Sequence, residues 1–257
     1  MAVELSGRSA KAPYTDGKAV GAAHGVLSPL ALPASHPLVA RRRQHLALYL
    51  LQLSVKRVVD VALALALLVA LLPLLLVVIA AIKWDSPGPL FYNRARVGKR
   101  GRPFTMYKFR TMTSDAEQRL RGLQHLNAGG AHMVKIKNDP RVTRVGRVLR
   151  ASSIDEVPQL LNVLKGEMSI IGPRPQTPAE VALYTDEQRL RLLVLPGITG
   201  LWQVKDRHNP SFEQWITWDL HYIATWSLWL DLCIAWQTVV MIIVDIRRAA
   251  FRALASR

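Results

Sequence analysis

Cysteine is almost missing from this 257-residue chain: Cys233 stands alone. One thiol excludes an intrachain disulfide and leaves no cysteine-based metal centre, as suits a reducing compartment. Acidic residues are scarce too, 18 Asp and Glu against 34 Lys and Arg, for a formal charge of +16. Such a balance points to phosphate-bearing partners, whether nucleic acid, an anionic membrane surface or a phosphorylated substrate. No nucleic-acid recognition motif accompanies the charge, so no nucleic-acid partner is expected. No apolar run lies near Met1, which excludes a secretory signal. Arg41-Arg-Arg43 sits too far along, before too short an apolar run, for a twin-arginine signal. Residues 1–45, rich in Ala, Pro, Gly and Ser without a period, read as a disordered basic tail.

Charge-free length, by contrast, is present. Val61 to Ile82 passes 22 residues without a charge, roughly 33 Å of helix and enough to span a bilayer. Leu46 to Val55 before it reads as a short helix lying on a membrane. Hydropathy alone favours an ordinary single-pass helix, but two features oppose it. Arg41, Arg42, Arg43, Lys56 and Arg57 precede the run, and Lys83, Arg94, Arg96, Lys99, Arg100 and Arg102 follow it. Both flanks thus carry the positive residues that mark the cytoplasmic side. Pro73 falls near the middle, where it removes a backbone hydrogen bond and bends a helix. A membrane segment over residues 46–83 that dips into one leaflet, breaks at Pro73 and returns satisfies both observations.

In so basic a chain the adjacent carboxylates of Arg150-Ala-Ser-Ser-Ile-Asp-Glu-Val-Pro-Gln-Leu-Leu-Asn162 need a reason. Val157, Leu160, Leu161 and Leu164 follow Asp155 and Glu156 at amphipathic spacing, and Pro158 is tolerated in a first turn. The pair is therefore expected at a helix N-terminus. Ser153-x-x-Glu156 fits a capping box, and the helix dipole favours carboxylates there, so capping alone would account for the local pattern. Cations surround the pair in sequence. Lys108 and Arg110 punctuate the aromatic, strand-like run from Phe104 to Met112, either as a solvated face or as phosphate ligands. Arg174 has its backbone stiffened between the prolines of Gly172-Pro-Arg-Pro175, and Arg207 lies beyond the Gly-rich Leu195-Pro-Gly-Ile-Thr-Gly200. Ser114 to Leu126 reads as a polar helix stopped by Asn127-Ala-Gly-Gly130.

Near the C-terminus, Trp218, Trp226, Trp229 and Trp236 lie in an apolar stretch interrupted by Asp231 and Asp245. An interfacial amphipathic helix and a packed core helix account for it equally well. A second spanning helix from Leu228 to Ile246 is disfavoured, because the two acids would be costly in lipid.

Taken in order, Lys56-Arg57-x-x-Asp60, the Pro-interrupted apolar segment, Gly88-Pro89, Arg96-Val-Gly98, Tyr107-Lys-Phe-Arg110, Asp139-Pro-Arg-Val-Thr143, Asp155-Glu156, Gly172-Pro-Arg-Pro175 and Pro196-Gly-Ile-Thr-Gly200 resemble the bacterial sugar transferases. These are the monotopic phosphoglycosyl transferases, and the resemblance runs from about Lys56 to Val244. Three positions depart from the family pattern: Leu72 stands before the proline where Ser is common, Arg94 stands where Gln is common, and Asp206-Arg207 replaces Gly-Arg.

The resemblance implies transfer of a sugar 1-phosphate from a UDP-sugar to undecaprenyl phosphate, releasing UMP and starting polysaccharide assembly. It implies Asp155 as covalent nucleophile, Glu156 at Mg²⁺, and Arg150 and Arg174 on phosphates; Asp155 is expected to share the metal, and Lys108, Arg110 and Arg207, from their place among the cations, are expected as further substrate ligands. A carboxylate can attack an anionic phosphorus only where cations neutralise the phosphoryl oxygens. The expected fold is an α-rich (α+β) monotopic membrane protein with a re-entrant anchor, interfacial helices, a catalytic domain over 84–250 with a few short strands, and a basic tail at 251–257. The implied place is the cytoplasmic face of the inner membrane, with membrane lipids as partners and homo-oligomerisation compatible with the reading. Two rivals explain less: a membrane-surface scaffold accounts for the charge and the anchor, and a nucleic-acid binder for the charge alone.

Overall fold

The computed structural model describes residues 46–123, 125, 136, 138–207 and 211–255. The expected disordered tail over 1–45 and the helix stop at Asn127–Gly130 lie outside the described residues. Helix α1 occupies Leu46–Asp85, 40 residues with Pro73 inside it. Two expectations are corrected here. Leu46 to Val55 is not a separate helix, and Pro73 does not interrupt the helical run. A proline forfeits one backbone bond, and the Leu- and Ala-rich residues on either side keep theirs. The helix ends at Asp85, and the turn-forming Ser86-Pro-Gly-Pro89 follows it.

One stripe of α1 faces the rest of the protein. Ala64 and Leu68 join the core of Met106, Leu160, Val163 and Met168. Leu75, Val78, Ile79 and Ile82 join Phe109 and Leu149. The remaining surface is largely exposed Leu and Val. Polar bonds fix both flanks of the apolar run to the same domain. On the first flank, Lys56 Nζ bonds the Ile171 carbonyl (3.1 Å) and Asp231 Oδ2 (2.7 Å), Arg57 donates to the Val163 carbonyl (2.7 Å), and Asp60 Oδ1 accepts from Ile170 N (3.1 Å). On the other, Asp85 Oδ2 accepts from Val145 N (2.9 Å).

The domain is helix-rich with two small sheets, as expected. Strands β1 (Arg94–Val97) and β2 (Pro103–Met106) form an antiparallel hairpin with Arg94 opposite Met106. Helix α2 covers Ala116–Leu123, starting two residues later than the sequence predicts. Helix α3 (Arg144–Ser152) starts where Thr143 Oγ1 accepts from Gly146 N (2.9 Å). A 3-10 turn over Ile154–Glu156 leads into α4 (Gln159–Lys165), β3 (Ser169–Ile171), α5 (Pro178–Ala182) and α6 (Asp186–Arg189). Then come β4 (Gly197–Thr199), α7 (Leu201–Asp206), α8 (Phe212–Thr225) and α9 (Leu228–Ala255). The residues expected as a basic C-terminal tail continue α9 as helix to Ala255.

Strands β3 and β4 pair in parallel, Ser169 opposite Gly197 and Ile171 opposite Thr199. A parallel pair needs a long crossover, here the stretch carrying α5 and α6. Beyond the strands the backbones nearly touch: a Cβ on Gly197 would lie 2.1 Å from Gly172 N, and one on Gly200 would lie 2.4 Å from the Gly172 carbonyl oxygen. Glycine is required there because no side chain fits.

Helix α9 is long and apolar enough to cross a membrane by length and composition. Its acids are not offered to lipid. Asp231 bonds Lys56, Tyr222 Oη (2.8 Å) and Trp226 Nε1 (3.1 Å), and Asp245 pairs with Arg207 at 2.5 Å. With buried Ile234 and with Thr238, which bonds Thr199, they form a stripe at three- and four-residue spacing along the domain. The opposite face exposes Trp229 (72 %), Leu232, Trp236 (69 %), Val240 and Ile243.

The Lys56–Asp231 pair is mostly buried. Lys56→Met leaves a carboxylate with its counter-ion removed, and unfolding experiments on detergent-solubilised protein should show a loss of about 3 kcal/mol. Adding Asp231→Asn should recover part of it; an unchanged melting curve for Lys56→Met would exclude a stabilising role for the pair.

Candidate active site

The extended chain after α1 builds the first wall of the site. Tyr92 N donates to the Lys108 carbonyl (2.8 Å), Arg110 N to the Leu90 carbonyl (2.9 Å), and Phe109 N to the Asp155 carbonyl (3.0 Å). Phe109 is thereby turned into the core, and Lys108 reaches the other way. Its Nζ stands 3.0 Å from Asp155 Oδ2 and 3.0 Å from Glu156 Oε1.

Asp155 and Glu156 ride on the 3-10 turn rather than in the first turn of α4. The expected capping box is not formed. Ser153 is in the left-handed region at φ 58°, where it closes α3, and its side chain makes no capping bond. The chain must reverse sharply between α3 and the turn, and that requirement overrides the local cap pattern. Asn162, fully buried, fixes the start of α4 against the strand wall: Oδ1 accepts from Tyr107 N (3.1 Å), and Nδ2 donates to the Thr105 carbonyl (2.7 Å).

The cations differ in placement. Arg174 Nη1 lies 3.5 Å from Glu156 Oε1. Its backbone carbonyl accepts from Arg191 Nη2 (3.1 Å), and Arg191 is itself buried against Asp219 and Tyr184. Arg150 is oriented by a bond from Nε to Thr111 Oγ1 (2.8 Å). Arg207 is held by Asp245. Together Lys108, Arg150, Ser153, Asp155, Glu156, Arg174 and Arg207 line a cavity of about 360 Å³, closed by Trp202, Gln203 and Met241. Arg110 is not brought there, which corrects its expected role as a phosphate ligand. Its guanidinium is buried against the turn after α1, donating to the carbonyls of Pro87 (2.7 Å) and Ser86 (2.6 Å). Arg94, one of the three departures, pairs with Glu117 away from the cavity.

Burial separates the two carboxylates electrostatically. It pushes Asp155, 3 % exposed, above the usual carboxylate range, with Lys108 pulling the other way. For Glu156 burial acts in the same direction, but Lys108 and Arg174 outweigh it and hold the group down at about 2. Two neighbouring acids with divergent proton affinities suit different tasks. Two hard oxygen donors beside phosphate-binding cations also suit Mg²⁺, which takes one or two carboxylates and leaves its other positions to phosphate and water.

Trp202, Gln203 and Met241 were not singled out as site residues from sequence. The first two follow directly on the Gly-rich loop, and that adjacency could have flagged them. Met241 lies far along α9, and only the pairing of Arg207 with Asp245, four residues on, connects it to the site.

Residues 51–245 match the family described as bacterial sugar transferase. The exopolysaccharide production protein ExoY of Sinorhizobium fredii is 42 % identical over 188 residues, covering 72 % of this chain and 83 % of that protein. The UDP-glucose:undecaprenyl-phosphate glucose-1-phosphate transferase of Caulobacter vibrioides is 44 % identical over 193 residues, 72 % of this chain and 68 % of its own. The undecaprenyl-phosphate galactose phosphotransferase of Salmonella typhimurium is 38 % identical over 192 residues, but these make up only 40 % of that longer protein. A match over residues 51–245, most of the chain, makes this protein a member of the bacterial sugar transferase family.

Proposed function

We propose that the protein is a phosphoglycosyl transferase that moves a sugar 1-phosphate from a UDP-sugar to undecaprenyl phosphate, the initiating step of exopolysaccharide, O-antigen, capsule or glycan assembly. The carrying observation is the convergence of Asp155, Glu156, Lys108, Arg150, Arg174 and Arg207 on one cavity. The names of the relatives supply the substrates: UDP-glucose and undecaprenyl phosphate in one, a galactose phosphate and undecaprenyl phosphate in another.

In the first half-reaction an Asp155 carboxylate oxygen attacks the sugar-bearing phosphorus of the donor. The bond from that phosphorus to the UMP oxygen breaks, and UMP leaves with the electron pair. In the second, a phosphate oxygen of undecaprenyl phosphate attacks the same phosphorus and displaces Asp155, giving undecaprenyl-diphosphate-sugar. Splitting one displacement into two avoids bringing both anionic substrates together at once. Arg150 and Arg174 hold phosphoryl oxygens, Arg207 extends the same surface, and Lys108 keeps Asp155 and Glu156 from repelling each other before the donor arrives. Glu156, with Asp155, would hold Mg²⁺, whose chemistry is to neutralise phosphoryl oxygens as charge shifts to the leaving group.

The same reading puts the protein at the cytoplasmic face of the inner membrane. Both flanks of the apolar run bond the domain that carries the active site, which favours an α1 that enters and leaves the bilayer on one side. The exposed apolar face of α9 lies against the same surface.

UMP release from UDP-sugars, measured with undecaprenyl phosphate and Mg²⁺, tests the chemistry. Asp155→Asn should reduce it roughly a thousandfold or more, in the manner of a lost nucleophile, and EDTA should abolish it. A wild type that is folded and membrane-bound yet releases no UMP from any UDP-hexose or UDP-N-acetylhexosamine would refute the reading. For topology, reporters at Met1 and Lys99 should fall on the same side of the membrane; opposite sides would rule out re-entry.

A further inference from the structure

A second cavity, of about 490 Å³, opens between the β1–β2 turn and the end of α4. Lys99, Arg100, Arg102 and Lys165 line it, with Glu167 as its one acid and Phe104 among its apolar walls. None of these residues lines the catalytic cavity. The acid is already engaged, since Glu167 Oε2 accepts from Asn162 Nδ2 at 2.6 Å. The carbonyl end of α4, which would repel an anion, is neutralised: Arg57 donates to the carbonyls of Val163 (2.7 Å) and Leu164 (3.2 Å). The guanidinium groups of Arg100 and Arg102 have no hydrogen-bond or ion-pair partner among the described residues.

The turn itself adds a second observation. Arg102 N donates to the Lys99 carbonyl (3.3 Å), and the two central residues, Arg100 (φ 58°) and Gly101 (φ 73°), are both left-handed. This is the type I′ geometry, in which Asn-Gly is the favoured pair and a bulky side chain at the first central position is strained. Arginine sits where Asn would make the hairpin more stable, so the position holds a guanidinium at the expense of turn stability.

We propose that this cavity is a second anion site, separate from the catalytic one, that binds a phosphate group carried on a partly apolar ligand. The shared chemistry is a phosphate met by Arg100 and Arg102 beside Phe104, with Lys99 and Lys165, the latter held on Tyr107, adding positive charge to the same wall. Arg57, next to the cavity and only a few residues before the apolar run of α1, brings the site close to the membrane-associated segment. The phosphate could therefore come from an anionic lipid head group or from a soluble phosphorylated molecule.

The double variant Arg100→Asn/Arg102→Ser tests this. It restores the Asn-Gly turn, so the hairpin should fold at least as well as wild type, and UMP release should be retained. Inorganic pyrophosphate is titrated against protein in neutral phosphatidylcholine nanodiscs, and native mass spectrometry counts phosphatidylglycerol retained from mixed vesicles. If the ligand is soluble, wild type shows two classes of pyrophosphate site, and the variant weakens one by about 25-fold, fivefold for each cation at about 1 kcal/mol. If the ligand is lipid, pyrophosphate binding is unchanged and retained phosphatidylglycerol falls by a similar factor. A variant that matches wild type in both measurements overturns the proposal, as does one that loses UMP release while remaining folded, because the residues would then belong to the catalytic site.

Discussion

The architecture depends on one buried polar junction. Lys56 of α1, Tyr222 of α8 and Asp231 of α9 meet at the carbonyl of Ile171, the last residue of β3. Desolvating a lysine and a carboxylate costs several kcal/mol each, and the interaction is tolerable only where nearly every polar atom finds a partner. Here the carboxylate also accepts from Trp226, and the strand carbonyl accepts twice. Helix α1 and the consecutive helices α8 and α9 are thus fixed around the strand that leads into Gly172 and Arg174. Asp60 adds a fourth tie through the amide of Ile170. The apolar helix α1 and the loop that carries Arg174 therefore share one point of attachment.

From that junction the site acquires its electrostatics. The glycines at 172 and 197 let the two stiff loops pass in contact, and Arg191, held by Asp219, grips the backbone of Arg174. Arg174 then faces Glu156 across the cavity, while Lys108 approaches from the strand side. Arg150 is positioned by Thr111 and Arg207 by Asp245, whereas the guanidinium of Arg174 reaches Glu156 itself.

The sequence made much of this readable, for identifiable reasons. A carboxylate pair in a chain with almost twice as many cations as anions is conspicuous, and an arginine locked between prolines has few conformations. The helical content follows from apolar spacing. Other features depend on tertiary context. Ser153 carries the residue type of an N-cap but closes the preceding helix, because the reversal demands a left-handed residue there. Lys108 and Arg110 are two apart and would share a face on a regular strand. Only isolated bridges form in that stretch, at Phe109 and Met112, so the alternation is not maintained and the two cations separate. Helix α9 combined acids and tryptophans in a way that left several readings open; pairing of both acids with the domain decides which face is which.

That division of α9 into two faces also fixes a length. Met241 forms part of the catalytic wall, and Ile243 and Val240 lie on the exposed apolar side of the same cylinder. The chemistry is therefore separated from the hydrocarbon-compatible surface by about one helix width, roughly 10 Å. Asp231 and Asp245 lock the rotation of the cylinder, so this stand-off cannot drift by turning the helix. Under the proposed function, an acceptor whose phosphate sits at the end of a buried tail would have to cover only that fixed distance, and the depth at which the protein rides would gauge where along such a lipid the reaction can occur.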